Sequence, residues 1–191
     1  MSFSENVKAE LAAQREKLTC CRKAFVYGLL INSQIKESEI CFETEQTEVL
    51  SVAETAFGEQ FGKEPQRSEK NRFGHTRYCL SFKSNSVRDT FGGLAEAEKF
   101  SSLIGFRCEN CRVHFLKGVF LSAANVSDPM KAYHLEFCIK NALSAKLLFE
   151  EFREAGFVPK IANRKNCIGL YFKESGAIED ILVHQKCFLS A

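Results

Sequence analysis

One block of residues occurs twice in this chain and limits its fold more than any other feature. CRKAFVYGLL begins at residue 21 and CRVHFLKGVF at residue 111, so Cys-Arg-x-x-Phe-x-x-Gly recurs after 90 residues. YCLSFK, from residue 78, and IGLYFK, from residue 168, have the same separation. Between them, Gly-x-x-Pro occurs at residue 62 and again at residue 156. Three blocks in the same order indicate an internal duplication whose loops differ in length.

Both halves have the same predicted order of helices and strands. The repeated block lies on a helix, 20–32 in one half and about 110–124 in the other, because its apolar residues recur with helical spacing. A strand, an amphipathic helix ending at glycine, a further strand and a closing helix follow, the last at 86–103 in the first half. We expect an N-terminal helix within 1–19, beginning near Ser4 without a full capping box, and two halves at 20–105 and 106–191.

Gly28 and Gly118 lie in the middle of the two block helices. Glycine there costs about 0.5–1 kcal/mol relative to alanine. The same cost at equivalent positions is explained if the helices cross there, because residues without Cβ let two backbones approach. We therefore predict that the helices touch through these glycines, with a pseudo-twofold axis between them.

Composition predicts a globular protein of the cytoplasm. Hydrophobic residues make up 45% of the chain and charged residues 26%, with 18 Phe and no Trp. No segment reaches 18 apolar residues, and the N-terminus lacks the apolar region of a signal peptide. The net charge of +2 neither indicates nor excludes a nucleic-acid partner, because a local basic stripe can bind phosphates.

The nine cysteines lie mostly in apolar or strand-like segments. In a reducing compartment they are expected to be small core thiols rather than disulfides. Cys108 and Cys111 have the Cys-x-x-Cys spacing of zinc and redox sites, and by symmetry Cys20 and Cys21 begin the neighbouring helix. Adjacent cysteines point in different directions on a helix, however, and no second Cys-x-x-Cys occurs. The sequence therefore favours two half-buried thiol pairs that cap the helix interface, and it predicts no metal ion and no cofactor.

The glycine-containing segments FVYGLLINSQI and FLKGVFLSAANV resemble the LAGLIDADG motif of homing endonucleases. More closely, MSFSENVKAELA, FLKGVFLSAANVSDPMKAYHLEF and NRKNCIGLYFKESGAIEDIL resemble the WhiA family, and this resemblance covers essentially all 191 residues. It implies an α+β fold of two α-β-β-α-β-β-α halves related by pseudo-twofold symmetry, like that of LAGLIDADG homing endonucleases. WhiA proteins are sporulation and cell-division regulators of Gram-positive bacteria. The resemblance places their C-terminal helix-turn-helix domain beyond the end of this chain.

The LAGLIDADG nuclease mechanism needs a carboxylate near the end of each motif helix, where the pair holds divalent metal ions. Counted from the motif glycine, this position falls on Ala123 in the second half and on Asn32 or Ser33 in the first. None of these residues is an acid. The comparison with the motif therefore implies degenerate metal positions, no catalytic residues and no enzyme.

Basic residues gather in the second hairpin of each half. In the homing-endonuclease arrangement, these hairpins and the concave sheet face lie against duplex DNA, where cations contact phosphates. Hairpin tips are commonly polar and solvated, and acids accompany the bases here. The candidate DNA-binding residues are Arg67, Lys70, Arg72, His75 and Arg77 in the first half and Lys160, Arg164 and Lys165 in the second.

Three functions follow as expectations. The first is a non-catalytic regulatory domain of a bacterial transcription regulator, associated with the nucleoid, that gives auxiliary DNA contacts or a docking surface. Its expected partner is double-stranded DNA, bound mainly through the helix-turn-helix domain, with no membrane partner. The second is a protein-interaction module without DNA contact. The third is a metal-dependent endonuclease, which the missing acids disfavour.

Overall fold

Helices and strands alternate through the computed structural model, which describes residues 2–72, 74–128 and 130–184, except for the side chain of Arg72. No helix among these residues is long and apolar enough to cross a membrane. The helices are α1 (Phe3–Ala12), α2 (Thr19–Leu29), α3 (Thr47–Phe61), α4 (Asn85–Gly92), α5 (Phe100–Ile104), α6 (Asn110–Ala123), α7 (Ala142–Glu154) and α8 (Ser175–His184). The strands are β1 (Gln34–Lys36), β2 (Glu39–Thr44), β3 (Gln66–Arg72), β4 (His75–Lys83), β5 (Ala124–Val126), β6 (Leu135–Ile139), β7 (Lys160–Asn163) and β8 (Ile168–Phe172).

The strands form two antiparallel sheets with matching topology. Their orders are β1-β2-β4-β3 and β5-β6-β8-β7. From α2 to α4, and again from α6 to α8, the chain runs α-β-β-α-β-β-α, with the short α5 lying between the two halves. The predicted α+β class of duplicated halves is therefore confirmed.

Each sheet buries one face against its long helix, α3 or α7, through equivalent clusters of phenylalanines. The ring of Phe57 lies 5.5 Å from that of Phe42 and 5.1 Å from that of Phe82. In the second half Phe152 packs in the same way against the phenylalanines of β6 and β8, at 4.8 and 5.6 Å. Alternate strand residues project from the opposite side of each sheet. We call that side the outer face.

Helices α2 and α6 cross at their glycines. A Cβ added at Gly28 would overlap the carbonyl oxygen of Phe115 and lie 2.9 Å from the backbone nitrogen of Val119. A Cβ added at Gly118 would overlap the carbonyl oxygen of Phe25 in the same way. The two backbones are thus in direct contact, which explains why both helices have glycine at this position.

The arginine of each repeated block ties its helix to the long helix of the same half. Arg22 contacts Glu59 of α3 at 2.6 Å, and Arg112 contacts Glu151 of α7 at 2.9 Å. The two pairs differ in burial, because the Glu59 side chain is 45% exposed and that of Glu151 is fully buried. Glu151 also accepts a hydrogen bond from the backbone N–H of Ser101, at 2.6 Å.

The predicted N-cap of α1 was wrong, although the helix does start near Ser4. The helix begins at Phe3, and Ser2 is its N-cap. The hydroxyl of Ser2 accepts from the backbone N–H of Glu5, whose carboxylate accepts in turn from the N–H of Ser2, which completes a capping box. Ser4 has another role, since its hydroxyl accepts a hydrogen bond from the backbone N–H of Val126 in β5.

The single closing helix predicted for 86–103 was also wrong. Helix α4 ends at Gly92, a 3₁₀ turn covers Gly93–Ala95, and α5 begins only at Phe100. Two consecutive glycines weaken helix propagation at this point. The break also lets Leu94 and Phe100 both reach the core, where they are 6% and 1% exposed.

Candidate functional site

The ends of the block helices, where a LAGLIDADG nuclease would hold metal, lie beside a small cavity. Ala123 is the last residue of α6, and Asn32 ends the 3₁₀ turn that continues α2, directly before Ser33. The cavity has a volume of about 90 Å³, and Glu43 is the one residue with a carboxylate among those that line it. Its lining residues are Leu29, Asn32, Ser33, Gln34, Cys41, Phe42, Glu43, Ser122 and Lys140.

Asn32 uses its side chain to join the two halves. Its Nδ2 donates to the carbonyl oxygen of Cys138 at 2.8 Å, and its Oδ1 accepts from the backbone N–H of Lys140 at 3.0 Å. On the other helix, the hydroxyl of Ser122 donates to the carbonyl oxygen of Gly28 at 3.3 Å. The helix ends therefore carry bonds between the halves. Apart from the amide of Asn32 itself, no pattern in the sequence indicates this bridge.

The predicted basic residues of the first hairpin divide between the two faces of the sheet. Lys70 is in register with Arg77, and the backbone of Arg72 with His75, so these four positions share the outer face. The side chain of Arg72 lies outside the described residues.

Arg67 projects from the other face. It is in register with the core residue Leu80, and its guanidinium lies 5.2 Å from the centre of the Tyr78 ring. It also pairs with Glu69 at 3.0 Å. The structure therefore separates Arg67 from the other candidate residues of its hairpin.

In the second half, the candidates lie along β7 and the turn that follows it. Lys160 is in register with Tyr171 and projects from the outer face. Arg164 reaches Glu136 of β6, with Nε 2.8 Å from Oε1. Lys165 is exposed in the turn between β7 and β8.

Carboxylates neutralise Arg77 and Arg164 on the outer face. Arg77 contacts Glu45 at 2.8 Å and Glu43 at 3.9 Å, and the hydrogen bond to Glu45 raises the pKa of Arg77. Burial works to raise the pKa of Glu136, but hydrogen bonds with Arg164 and His134 outweigh it and lower that pKa. These pairs stay charged near neutral pH, so they reduce the net positive potential of the outer face.

The prediction that all cysteines are free thiols was wrong for four of them. The structure joins Cys41 to Cys79 and Cys138 to Cys167 as disulfides. In the first half, for example, Cys41 lies on β2 and Cys79 on the adjacent β4, displaced diagonally in the ladder. Adjacent strands bring such diagonal pairs within bonding distance, and cysteine composition alone does not reveal the strand register.

The other four described cysteines form one cluster rather than the two predicted pairs. The sulfur of Cys108 lies 3.7 Å from that of Cys20, 3.5 Å from that of Cys21 and 3.5 Å from that of Cys111. Cys20 and Cys21, which are adjacent at the start of α2, thus both reach Cys108 in the turn before α6. Burial raises the pKa of Cys21, whereas hydrogen bonds from Cys21 and Cys111 lower the pKa of Cys108.

Comparisons with known proteins agree with this geometry. The family model of the WhiA LAGLIDADG-like domain matches residues 112–186. The probable cell division protein WhiA of Ruminiclostridium cellulolyticum is 29% identical over 197 residues, covering 95% of this chain and 63% of that protein. The WhiA of Clostridium novyi is 41% identical over 76 residues, 40% of this chain and 24% of that protein. The chain thus spans less than two thirds of the length of these curated relatives.

Solved structures share the fold. The N-terminal LAGLIDADG domain of DUF199/WhiA superimposes with a TM-score of 0.78 at 19% identity, covering 96% of this chain and 90% of that one. The homing endonuclease I-DmoI, in complex with DNA and Mn, gives a TM-score of 0.56 at 12% identity, covering 91% and 99%. The predicted likeness to homing endonucleases is confirmed at the level of fold. Residues 112–186 thus match the WhiA LAGLIDADG-like domain in sequence, and the chain shares the fold of the N-terminal domain of DUF199/WhiA.

Proposed function

We propose that this chain is a non-catalytic, DNA-contacting regulatory domain of a bacterial cell-division and sporulation regulator. The observation that carries the proposal is the contrast between two neighbouring regions. The outer faces of the sheets present basic side chains, whereas the ends of the block helices lack the acid pair of a nuclease. Such a surface contacts DNA without cutting it.

The chemistry at the helix ends supports the absence of cleavage. Hard divalent cations take oxygen ligands, chiefly carboxylates. The methyl side chain of Ala123 offers no ligand, and Asn32 already uses both its amide groups in bonds to the second half. Glu43 is the one carboxylate among the residues that line the cavity, and the cation Lys140 is also among them. This set of groups disfavours a site for two metal ions.

The basic side chains of the outer face support weak DNA contact. Lys70 and Lys160 make no ion pair within the described part of the chain, so their charges are available to phosphates. Arg77 and Arg164 have five N–H donors each, and their carboxylate partners do not occupy all of them. Binding that rests on phosphate contacts is sequence-independent and typically has a Kd of about 10⁻⁴–10⁻⁶ M at physiological salt.

We assign sequence-specific recognition to a helix-turn-helix domain that follows this domain in the whole protein. The WhiA relatives extend well beyond the matched region, since the chain covers 63% of the Ruminiclostridium protein. In this proposal the whole regulator acts on double-stranded DNA at the bacterial nucleoid, and the domain described here adds phosphate contacts beside the specific site.

Charge reversal tests the proposal. The Lys70→Glu/Lys160→Glu double variant is titrated against a fluorescent duplex at increasing salt, beside the wild-type chain. We expect weaker binding. The slope of log K against log[salt] should be shallower by about 2, because each phosphate contact contributes roughly 0.9 to that slope. Arg67→Glu is the matched control, since Arg67 projects from the opposite face, and it should bind like wild type. No duplex binding by the wild-type chain at low salt would overturn DNA contact by this domain.

A protein-docking role is the second candidate. It is favoured by the ion pairs that hold Arg77 and Arg164, because paired arginines present less net charge to a polyanion. The same titration separates the two functions. A docking module would show no salt-dependent shift with DNA.

A further inference from the structure

We propose that Cys20, Cys21, Cys108 and Cys111 bind one structural Zn²⁺ ion that holds the beginnings of α2 and α6 together. Within the described residues, these four form the one group of three or more Cys, His, Asp or Glu side chains with metal-ligand spacing. Cys21 and Cys111 are buried, and Cys20 and Cys108 are half-buried.

The separations between the sulfur atoms fit a tetrahedral site. All four sulfurs lie within 4.8 Å of one another, and the three pairs that include Cys108 are 3.5–3.7 Å apart. In a tetrahedral Zn²⁺ site with Zn–S bonds of about 2.3 Å, the sulfurs are about 3.8 Å apart. Two disulfide bonds would instead place the sulfurs in two pairs, each with an S–S distance of about 2.05 Å. Here Cys108 contacts three other sulfurs, as one vertex of a tetrahedron does.

The surroundings favour thiolates around a cation. Cys20 and Cys21 lie in the first turn of α2, and Cys111 lies in the first turn of α6. Neither helix has a hydrogen-bonded side-chain cap, which leaves N–H groups of the first turn of α2 for sulfur acceptors, whereas in α6 the N–H of Cys111 already donates to the carbonyl oxygen of Cys108 at 3.1 Å. The positive ends of two helix dipoles also stabilise negative charge, which offsets the net −2 charge of a Zn²⁺ with four thiolates.

The arrangement along the chain combines one common element of zinc sites with an uncommon one. Cys108 and Cys111 form the two-residue-spaced pair of many structural zinc sites. Cys20 and Cys21 are adjacent, yet both reach the site because the turn before α6 lies across the start of α2. The metal would therefore cross-link segments 88 residues apart in sequence, one from each half.

Four protein ligands leave no open position for substrate, so the site is structural. It lies at the opposite end of α2 from Asn32, about 18 Å away at the rise of an α-helix. Zinc binding and DNA contact are thus separate properties. Either proposal can fail without the other.

Metal analysis of the full 191-residue chain, purified without a histidine tag or added metal, tests the site. We expect one Zn²⁺ per chain by mass spectrometry, and four sulfur neighbours at about 2.3 Å by X-ray absorption. Replacement of zinc by Co²⁺ should give the intense visible bands of a tetrathiolate. Cys20→Ser and Cys111→Ser should each lower the retained zinc at least tenfold, whereas the control Cys41→Ser/Cys138→Ser should keep it.

Several results would overturn the assignment. A zinc-free wild-type chain in which the four thiols of this cluster react freely is one, and a disulfide within the cluster is another. Stoichiometric iron in place of zinc would also overturn it, because tetrahedral sulfur sites accept iron as well. The measurements on the wild-type chain decide the question even if the serine variants fail to fold.

Discussion

Gly28 and Gly118 face each other where α2 crosses α6, and a Cβ on either would overlap a backbone carbonyl oxygen of the other helix. The obstacle is backbone rather than a flexible side chain, so relief requires the helices to move apart. We therefore predict that Gly28→Ala and Gly118→Ala each lower the free energy of unfolding by about 1–3 kcal/mol, the usual cost of overpacking. Urea denaturation measures the change.

Gly58 supplies the matched control. It lies inside α3, and a Cβ added there meets nothing within 4 Å. Gly58→Ala should raise the free energy of unfolding by about 0.5–1 kcal/mol, because alanine is the better helix former. Equal effects of alanine at Gly28 and at Gly58 would contradict the close crossing.

The two block arginines should differ in importance despite equal exposure. Arg112 and Arg22 are both 28% exposed, but the partner of Arg112 is the buried Glu151. We predict that Arg112→Ala costs about 3 kcal/mol, because it leaves a buried carboxylate without its cation. Arg22→Ala should cost under about 1 kcal/mol, since Glu59 is exposed to water. Similar losses in the two variants would argue against this difference in burial.

The fold could be predicted from the sequence because its main constraints are local and repeated. Helical spacing located the block helices, and the shared cost of Gly28 and Gly118 pointed to their crossing. The cysteines could not be placed in this way. Whether Cys41 meets Cys79 depends on strand register, and whether Cys20 meets Cys108 depends on how the turn before α6 packs. Likewise, Arg67 and Lys70 are both basic residues of the same hairpin, and only the pairing of β3 with β4 shows that they lie on opposite faces of the sheet.

Lys8 should make stability depend on pH at alkaline values. It is 9% exposed, and burial lowers its pKa from 10.5 to about 8. Between these values the unfolded chain binds more protons than the folded chain, so this residue makes stability rise as the pH rises from about 8 to 10.5. Lys8→Met should therefore stabilise the protein at pH 7, by about 1–3 kcal/mol.

The advantage of Lys8→Met over wild type should shrink as the pH approaches 10.5, where Lys8 is neutral in both states. Thermal unfolding of both chains from pH 7 to 10.5 checks this. An advantage that does not change with pH would show that Lys8 is not the cause.

Introducing an acid at Asn32, the last residue of the 3₁₀ turn after α2, should weaken the contact between the halves. In Asn32→Asp, a carboxylate oxygen replaces the Nδ2 donor that lies 2.8 Å from the carbonyl oxygen of Cys138. We expect a loss of about 1–3 kcal/mol, the cost of an unsatisfied acceptor facing a like partner. Asn85→Asp is the control, because Asn85 is exposed in the first turn of α4, where an acid is favourable. A stable Asn32→Asp variant would contradict the bridging role.

The proposal that this domain contacts DNA without cutting it is tested most directly with supercoiled plasmid. The wild-type chain is incubated with plasmid at low salt, with Mg²⁺ or Mn²⁺, and the same samples are assayed for binding and for nicking. We expect a shifted plasmid that stays supercoiled, with the shift lost as salt increases. Nicked or linear plasmid that appears with either metal and disappears with a chelator would contradict it.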